Sequence, residues 1–280
     1  MKIAVTAASG ALGSAIVQAA KALVGAQNVV AVARTPAKAS DLGVEVRAGD
    51  YDRPAQLERA FQGVDAVLLV SGMAAPDVRI IQHHNVIEAA KSAGVTKLVY
   101  TSVQGPEDGT AFSVIVQSNR QTEADVRDSG LRWAIGRNGI YIEPDVEYIE
   151  TYGAKGEIAN CAADGKCGYT TRAELAFAYA RLLTQPALDG GTYRLHGEAI
   201  SQSELAQYLS GVLGAPLRYR SMGEDEYRAE RVAELGEFIG SVIGGIYAGI
   251  RRGAYDQPSH FEAVAARPHQ SWADYFAGLV

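Results

Sequence analysis

The chain has 280 residues, 48% hydrophobic and 21% charged, with a net charge of −6, which suits a soluble α/β protein with one large core or a core plus an appendage. No basic tail or Lys/Arg cluster is present beyond the isolated pair Arg251 and Arg252, so nucleic acid is excluded as an expected partner. The two cysteines, Cys161 and Cys167, match neither a zinc nor a CxxC spacing and read as free thiols in a reducing compartment.

The N-terminal stretch MKIAVTAASG is too short and too quickly broken by glycine for a signal peptide. Short apolar runs follow: KIAV (2–5), NVVAVA (28–33), VEVRA (44–48), DAVLLV (65–70), KLVYTS (97–102) and RWAIGR (132–137). Such runs suit strands buried on both faces of a parallel sheet. Helical patterns lie between them. ALGSAIVQAAKAL (11–23) puts Leu12, Ile16, Ala19 and Leu23 on one face, PAQLERAFQ opens on Pro54, and residues 76–94 end on Gly94, a plausible helix stop. Strands alternating with helices predict right-handed βαβ units and a Rossmann-type, doubly wound parallel sheet.

After Asn138 the rhythm changes. GTYRLHG (191–197) and LRYRS (217–221) read as strands, and residues 201–214 and 224–238 as helices, the first opened by a Ser201/Glu204 capping box. The predicted organisation is a cofactor-binding domain over 1–140 and a smaller substrate-side region over 141–280, partly threaded back onto the first. The apolar run from Phe238 to Ile250 is too short for a bilayer span of about 20 residues. The expected location is the cytoplasm, with no membrane partner.

VTAASGALGSA, from Val5 to Ala15, sits between the first strand and the first helix. With glycine in place of Ala7 it would read GxxGxxG, a loop that lets backbone N–H groups approach a pyrophosphate. Thr6, Ala8, Ser9, Gly10, Ala11 and Leu12 are therefore candidate cofactor residues. The alternative is a tight turn with no ligand. Ala7 fits at little cost if its φ stays negative. No Asp or Glu stands between Val29 and Lys38 to hold a ribose 2′-hydroxyl, whereas Arg34 and Lys38 suit a 2′-phosphate. This reads as NADP(H), against plain solvated side chains. Asp50 and Tyr51 fall on the adenine side or make an ordinary turn. Ser71 and Gly72 end the fourth strand, on the path toward the nicotinamide.

Several stretches carry a family resemblance in the right order: IAVTAASGALGSAIV, VVAVARTPAKA, VEVRAGDYDRP, QHHNVIEAAKSAGVTKLVYTS, GRNGIY and DGKCGYTTRAELAFAYARLL. Together they resemble the NmrA-like, atypical short-chain dehydrogenase/reductase family, and within it the quinone- and dye-reducing members. The resemblance implies a Rossmann domain binding NADP(H) and a smaller region closing over a substrate cleft. It implies Gly10, Ala11 and Leu12 at the pyrophosphate, Arg34 at the 2′-phosphate, Ser71 and Gly72 along the cofactor, and Asn138 and Gly139 by the nicotinamide. Ala7 departs from the family's glycine.

Most short-chain dehydrogenases carry Tyr-x-x-x-Lys after the fifth strand, where the tyrosine protonates a carbonyl oxygen. The stretch AFSVIVQSNRQTEADVRDSG (111–130) has neither residue. Quinone and dye reductases often show a histidine there, and alignment on Thr122 and Glu123 puts Asn119 in its place. Candidate catalytic groups are Ser102 (or a turn serine), Asn119 (or a helix cap) and Tyr141, a substitute acid or a packing residue. Asn138 either meets the carboxamide or makes an Asn-Gly turn. The adjacent His83 and His84 point in different directions on a helix. They read as surface or interface residues, and no metal is expected. Phe238, Ile239, Val242, Ile243, Ile246, Tyr247 and Ile250 recur at helical spacing, as core or as an apolar wall of the cleft. Gly240, Gly244, Gly245 and Gly249 weaken that helix by up to about 1 kcal/mol each.

The function read from these residues is an NADP-dependent oxidoreductase passing a hydride to a small apolar acceptor, a quinone or related conjugated compound. The alternatives are a carbonyl reductase or alcohol dehydrogenase with a non-standard donor, or a non-catalytic NADP redox sensor. The expected state is a monomer or homodimer.

Overall fold

A computed structural model describes residues 1–280. In chain order the elements are β1 (Ile3–Val5), α1 (Ala11–Val24), β2 (Val29–Ala33), β3 (Glu45–Ala48), α2 (Pro54–Phe61), β4 (Ala66–Val70), α3 (Pro76–Ser92), β5 (Lys97–Val103), α4 (Ser113–Arg127) and β6 (Arg132–Asn138). There follow β7 (Ile140–Tyr141), α5 (Glu143–Glu147), α6 (Ile149–Lys155), β8 (Glu157–Asn160), β9 (Lys166–Thr170), α7 (Arg172–Thr184) and β10 (Thr192–Leu195). The last are β11 (Ala199–Ser201), α8 (Gln202–Leu213), β12 (Arg218–Ser221), α9 (Glu224–Leu235), α10 (Glu237–Arg251), α11 (Phe261–Ala265) and α12 (Trp272–Ala277).

Seven strands form one sheet in the order β10-β6-β5-β4-β1-β2-β3, every pair parallel. Each of the six apolar runs is a strand of it. The order reverses between β1 and β4, and in open α/β sheets that switch point opens a crevice at the carboxyl ends of the strands. β2 and β4 are buried along their whole length, as runs of Val, Leu and Ala covered on both faces require. On one face Ile3, Val5, Leu68 and Val99 pack against Ile16 and Val17 of α1 and Leu175 and Leu182 of α7. On the other, Val30, Val67, Leu69 and Tyr100 pack against Leu57 and Phe61 of α2 and Val86 and Ile87 of α3. Truncating Leu68 to Ala would cost about 2–5 kcal/mol through the cavity it leaves.

The buried face of α1 is rotated from the expected one. Leu12, Gly13, Ile16, Val17 and Ala20 face the core, while Leu23 is exposed. Gly13 is part of the buried face, and a Cβ there would come within 2.4 Å of the Ala7 carbonyl oxygen. That close approach sets the head of the helix against the loop.

β10 comes from the second half of the chain and forms an edge of the large sheet, with Leu195 paired to Asn138. β7, β9 and β11 make a separate three-stranded sheet, and β8 pairs with β12. The Ser201/Glu204 capping box at the head of α8 is complete, with the Glu204 N–H donating to Ser201 Oγ at 3.2 Å and the Ser201 N–H to Glu204 Oε2 at 2.7 Å. No helix is long and apolar enough to cross a membrane.

The apolar stripe of α10 packs only over its later part, where Ile250 is buried and Ile243, Ile246 and Tyr247 lie against the core. Gly240, Gly244, Gly245, Ala248, Gly249 and Ile250 are the buried residues, while Phe238 and Ile239 are 58% and 54% exposed. A Cβ on Gly245 would lie 2.5 Å from the Phe112 backbone nitrogen, and one on Gly240 2.4 Å from that of Val232. The glycines let α10 lie directly on α9 and on the segment leading into α4. The helix propensity they forfeit is exchanged for that contact.

Candidate active site

The carboxyl ends of β1, β4, β5 and β6 bring most of the candidate residues to one edge of the sheet. At β1, Ala7 adopts φ +48°, so the expectation of a negative φ fails. The loop needs a left-handed residue here and tolerates alanine in a conformation that favours glycine. The turn closes through the Ala8 N–H donating to the Val32 carbonyl at 3.1 Å and the Gly10 N–H to that of Ala7 at 2.9 Å. Gly10 caps α1 without a side-chain bond, and the N–H groups of Ala11, Leu12 and Gly13 have no acceptor in the chain. Free N–H groups at a helix head form an anion cradle.

Past β2, Arg34 and Lys38 are exposed and no carboxylate pairs with either. Past β3, the Asp50 carboxylate accepts the Asp52 N–H at 3.2 Å, which is turn chemistry. Tyr51 turns inward. Its hydroxyl and the Thr6 hydroxyl lie 2.5 Å apart, and their two protons are shared between that contact and the carbonyls of Leu68, 2.9 Å from Thr6 Oγ1, and Val70, 2.8 Å from Tyr51. Burial raises the Tyr51 pKa, so the phenol stays neutral and braces β1 against β4.

At the end of β4 the Ser71 N–H donates to Thr101 Oγ1 at 2.8 Å, and its hydroxyl donates to Asn119 Oδ1 at 3.2 Å. The Gly72 N–H donates to His83 Nε2 at 3.0 Å. His83 is fully buried, which overturns its reading as a surface residue; His84 is exposed. Asn119 is occupied otherwise than expected. Its Oδ1 also accepts the Tyr100 hydroxyl at 2.6 Å, and its Nδ2 donates to the Ile115 carbonyl at 2.8 Å. With both ends of the amide bonded to protein and the side chain buried, Asn119 is poorly placed to orient a substrate carbonyl.

Ser102 is likewise committed. Its hydroxyl donates at 2.7 Å to Glu123, a fully buried carboxylate that also receives Arg137 in a fork at 2.8 and 2.7 Å, Arg120 at 2.8 Å and Arg127 at 2.9 Å. Burial pushes the Glu123 pKa up, but the Arg137, Arg120 and Ser102 contacts outweigh it and the net shift is downward. This cluster ties α4 to β5 and β6.

At the end of β6, Asn138 Oδ1 lies 2.5 Å from the Tyr179 hydroxyl, and its Nδ2 donates to the Tyr141 hydroxyl at 3.2 Å. The chain runs on into β7 instead of turning. Gly139 admits β9, since a Cβ there would lie 2.2 Å from the Gly168 carbonyl oxygen. The Arg172 guanidinium sits 5.5 Å over the Tyr141 ring. Burial raises the Tyr141 pKa, against Asn138 and Arg172, so Tyr141 keeps its proton near neutrality.

Tyr100, Thr101, Glu123 and Tyr179 escaped the sequence reading. Tyr179 falls at helical spacing between Leu175 and Leu182, and that spacing alone marks it as inward-facing.

The reversed strand order, the bare head of α1 and the loop closed by Gly13 define a Rossmann-class dinucleotide-binding protein. The chain belongs to the NAD(P)H-binding family, whose model matches residues 7–186. It is 35% identical over 235 residues to quinone oxidoreductase 2 of Escherichia coli (strain K12), covering 81% of this chain and 80% of that one. The crystal structure of the Escherichia coli NADPH-dependent quinone oxidoreductase complexed with NADPH matches with a TM-score of 0.91 and 31% identity, over 99% of both chains. Citrobacter sp. triphenylmethane reductase complexed with NADP(H) matches with a TM-score of 0.91 and 30% identity, over 100% of both.

Proposed function

We propose that this protein is an NADPH-dependent reductase of small, apolar, conjugated acceptors of the quinone class. The observation that carries the reading is a dinucleotide cradle beside an α4 with no Tyr/Lys proton-donating pair, where Ser102 and Asn119 are already hydrogen-bonded to protein. An acceptor that spreads the incoming charge over a conjugated system takes its proton from water. The protein must then supply orientation and exclude solvent. The names of the relatives, quinone oxidoreductase and triphenylmethane reductase, support this choice of acceptor.

The bound cofactor would supply the hydride. Ala11 and Leu12, with Gly13, hold its pyrophosphate through their free N–H groups, while Gly10, whose own N–H is bonded to Ala7, keeps the approach clear of a side chain, and Ala8 and Ser9 shape the loop. Arg34 and Lys38 pair with the 2′-phosphate, and Asp50 borders the adenine. Thr6 and Tyr51 brace the floor, Ser71 and Gly72 follow the cofactor along β4, and Asn138 and Gly139 stand by the nicotinamide. Residues 1–140 form the cofactor half, and 141–280 the substrate half that closes over it. The buried, unpaired Cys161 and Cys167 support a reducing, cytoplasmic setting.

A second reading rests on Tyr141, a phenol kept protonated by burial and bonded to Asn138. On that reading it donates the proton in carbonyl reduction. Steady-state NADPH oxidation separates the two. Turnover with quinones but not ketones supports the first, and the reverse supports the second. NADPH binding without turnover of either favours a redox sensor.

A further inference from the structure

We infer that His83 is a positioning residue for the cofactor: its Nε2 fixes the Gly72 backbone, and through it the Ser71–Gly72 segment that follows the dinucleotide. The inference rests on the cofactor placement proposed above, but the hydrogen bonds that carry it do not.

A backbone N–H can only donate, so His83 Nε2, 3.0 Å from the Gly72 nitrogen, must accept. The ring proton therefore sits on Nδ1 and is donated to Thr122 Oγ1 at 2.9 Å. Thr122 passes its own proton to the Ser118 carbonyl at 3.2 Å. The donations run one way, from the turn after β4 through His83 of α3 to Thr122 and Ser118 of α4, and only one imidazole tautomer completes the chain. Burial, and then the Arg79 charge, hold the His83 pKa down to about 3, so the accepting lone pair is present throughout the neutral range.

Arg79, one helical turn earlier on α3, is 5% exposed and forms no ion pair. It donates to the Ala74 carbonyl at 3.0 Å and to Ser118 Oγ at 3.2 Å. Two side chains of one helix face thus grip the same turn at Gly72 and Ala74. The His83 ring also meets Tyr100 edge-on at 5.5 Å and Tyr51 at 6.2 Å. These are the residues whose hydroxyls reach Asn119, and through it Ser71, and Thr6. His83 therefore stands between the two hydroxyl networks that border the crevice.

The test compares His83→Leu, which leaves the Gly72 N–H unpaired, with His83→Gln, whose amide oxygen reaches the Nε2 position. Three readouts apply: NADPH Kd by fluorescence titration without acceptor, amide exchange at Gly72, and the thermal midpoint. One lost buried hydrogen bond corresponds to about a tenfold change in an equilibrium. His83→Leu should raise the NADPH Kd about tenfold and speed Gly72 exchange, with His83→Gln recovering most of both. A lowered midpoint with unchanged Kd would make His83 a core brace only and overturn the inference. Should His83→Leu fail to fold, Thr122→Val removes the Nδ1 acceptor together with its bond to the Ser118 carbonyl but leaves the imidazole in place, and the same rise in Kd, smaller in size, is expected. An unchanged Kd there, with Nδ1 not carrying the proton by nitrogen NMR of the wild-type imidazole, would also overturn it. If wild-type protein fails to bind NADPH, the cofactor reading fails, while Gly72 exchange still reports on His83.

Discussion

Gly13 and Ala7 meet across the first turn of α1 so closely that a Cβ on Gly13 would stand 2.4 Å from the Ala7 carbonyl oxygen, while Ala7 itself holds φ at +48°. The two positions of the altered glycine loop therefore make opposite demands: position 13 tolerates no side chain, and position 7 tolerates a methyl group at a conformational cost. Ala7→Gly should raise stability by about 0.5–1 kcal/mol, the left-handed penalty less the added freedom of the unfolded chain, and leave NADPH affinity intact. Gly13→Ala should displace α1, destabilise by about 2 kcal/mol or more and weaken NADPH binding. Urea unfolding with cofactor titration checks both. A Gly13→Ala protein with normal affinity would contradict this account of the loop.

Arg34 is exposed, and no acid stands between Val29 and Lys38 to compete with it. A charged hydrogen bond to phosphate contributes about 2 kcal/mol, so Arg34→Ala should raise KM for NADPH roughly thirtyfold and leave KM for NADH unmoved. Equal losses with both cofactors would remove Arg34 from the 2′-phosphate.

Asp145, on α5, is buried, and its carboxylate accepts the Tyr152 hydroxyl at 2.9 Å. Burial raises its pKa to about 6, with Tyr152 and Tyr247 pulling it back. An unfolded aspartate titrates near 4. Between the two values the folded state binds more protons, so stability falls as pH rises through this window, and the cost is complete above about pH 6. The displacement corresponds to about 3 kcal/mol. Asp145→Asn keeps the acceptor for Tyr152 and should flatten the slope, making the variant more stable than wild type near pH 7–8. Urea midpoints measured across pH check this, and a slope retained in the variant would assign it to another group.

Tyr141→Phe removes a phenol that burial keeps protonated. If water supplies the proton, quinone turnover should stay within about threefold of wild type, whereas loss of a general acid costs about a hundredfold or more. A collapse of that size would make Tyr141 the donor.

Much of the sheet was legible, because a strand buried on both faces must be apolar throughout, as VVAVA and AVLLV are. The helix rotations were less legible. On α3 the inward residues Arg79, His83, Val86, Ile87 and Ala90 keep the helical period, but two of them are polar and hide the stripe; the spacing was the signal, and the chemistry masked it. At Ala7 the glycine of the loop pattern was the signal for a positive φ, and alanine in its place masked it. The partners of Asn119 and Ser102 were out of reach for a different reason. Ser71 lies 48 residues from Asn119, and Glu123 lies 21 from Ser102, so only the packing of α4 on β4 and β5 reveals that both side chains are already bonded. On α10 the core reading holds for Ile243, Ile246, Tyr247 and Ile250 but not for Phe238 and Ile239, and the closest approaches are made by glycines, which carry no apolar signal.

The most direct test of the central claim is initial-rate oxidation of NADPH and NADH by purified protein against matched panels of quinones and simple ketones. The account predicts turnover with quinones, with kcat/KM favouring NADPH over NADH by about tenfold or more, and none with ketones. Turnover confined to ketones, or NADPH binding with no turnover of any quinone, would contradict it.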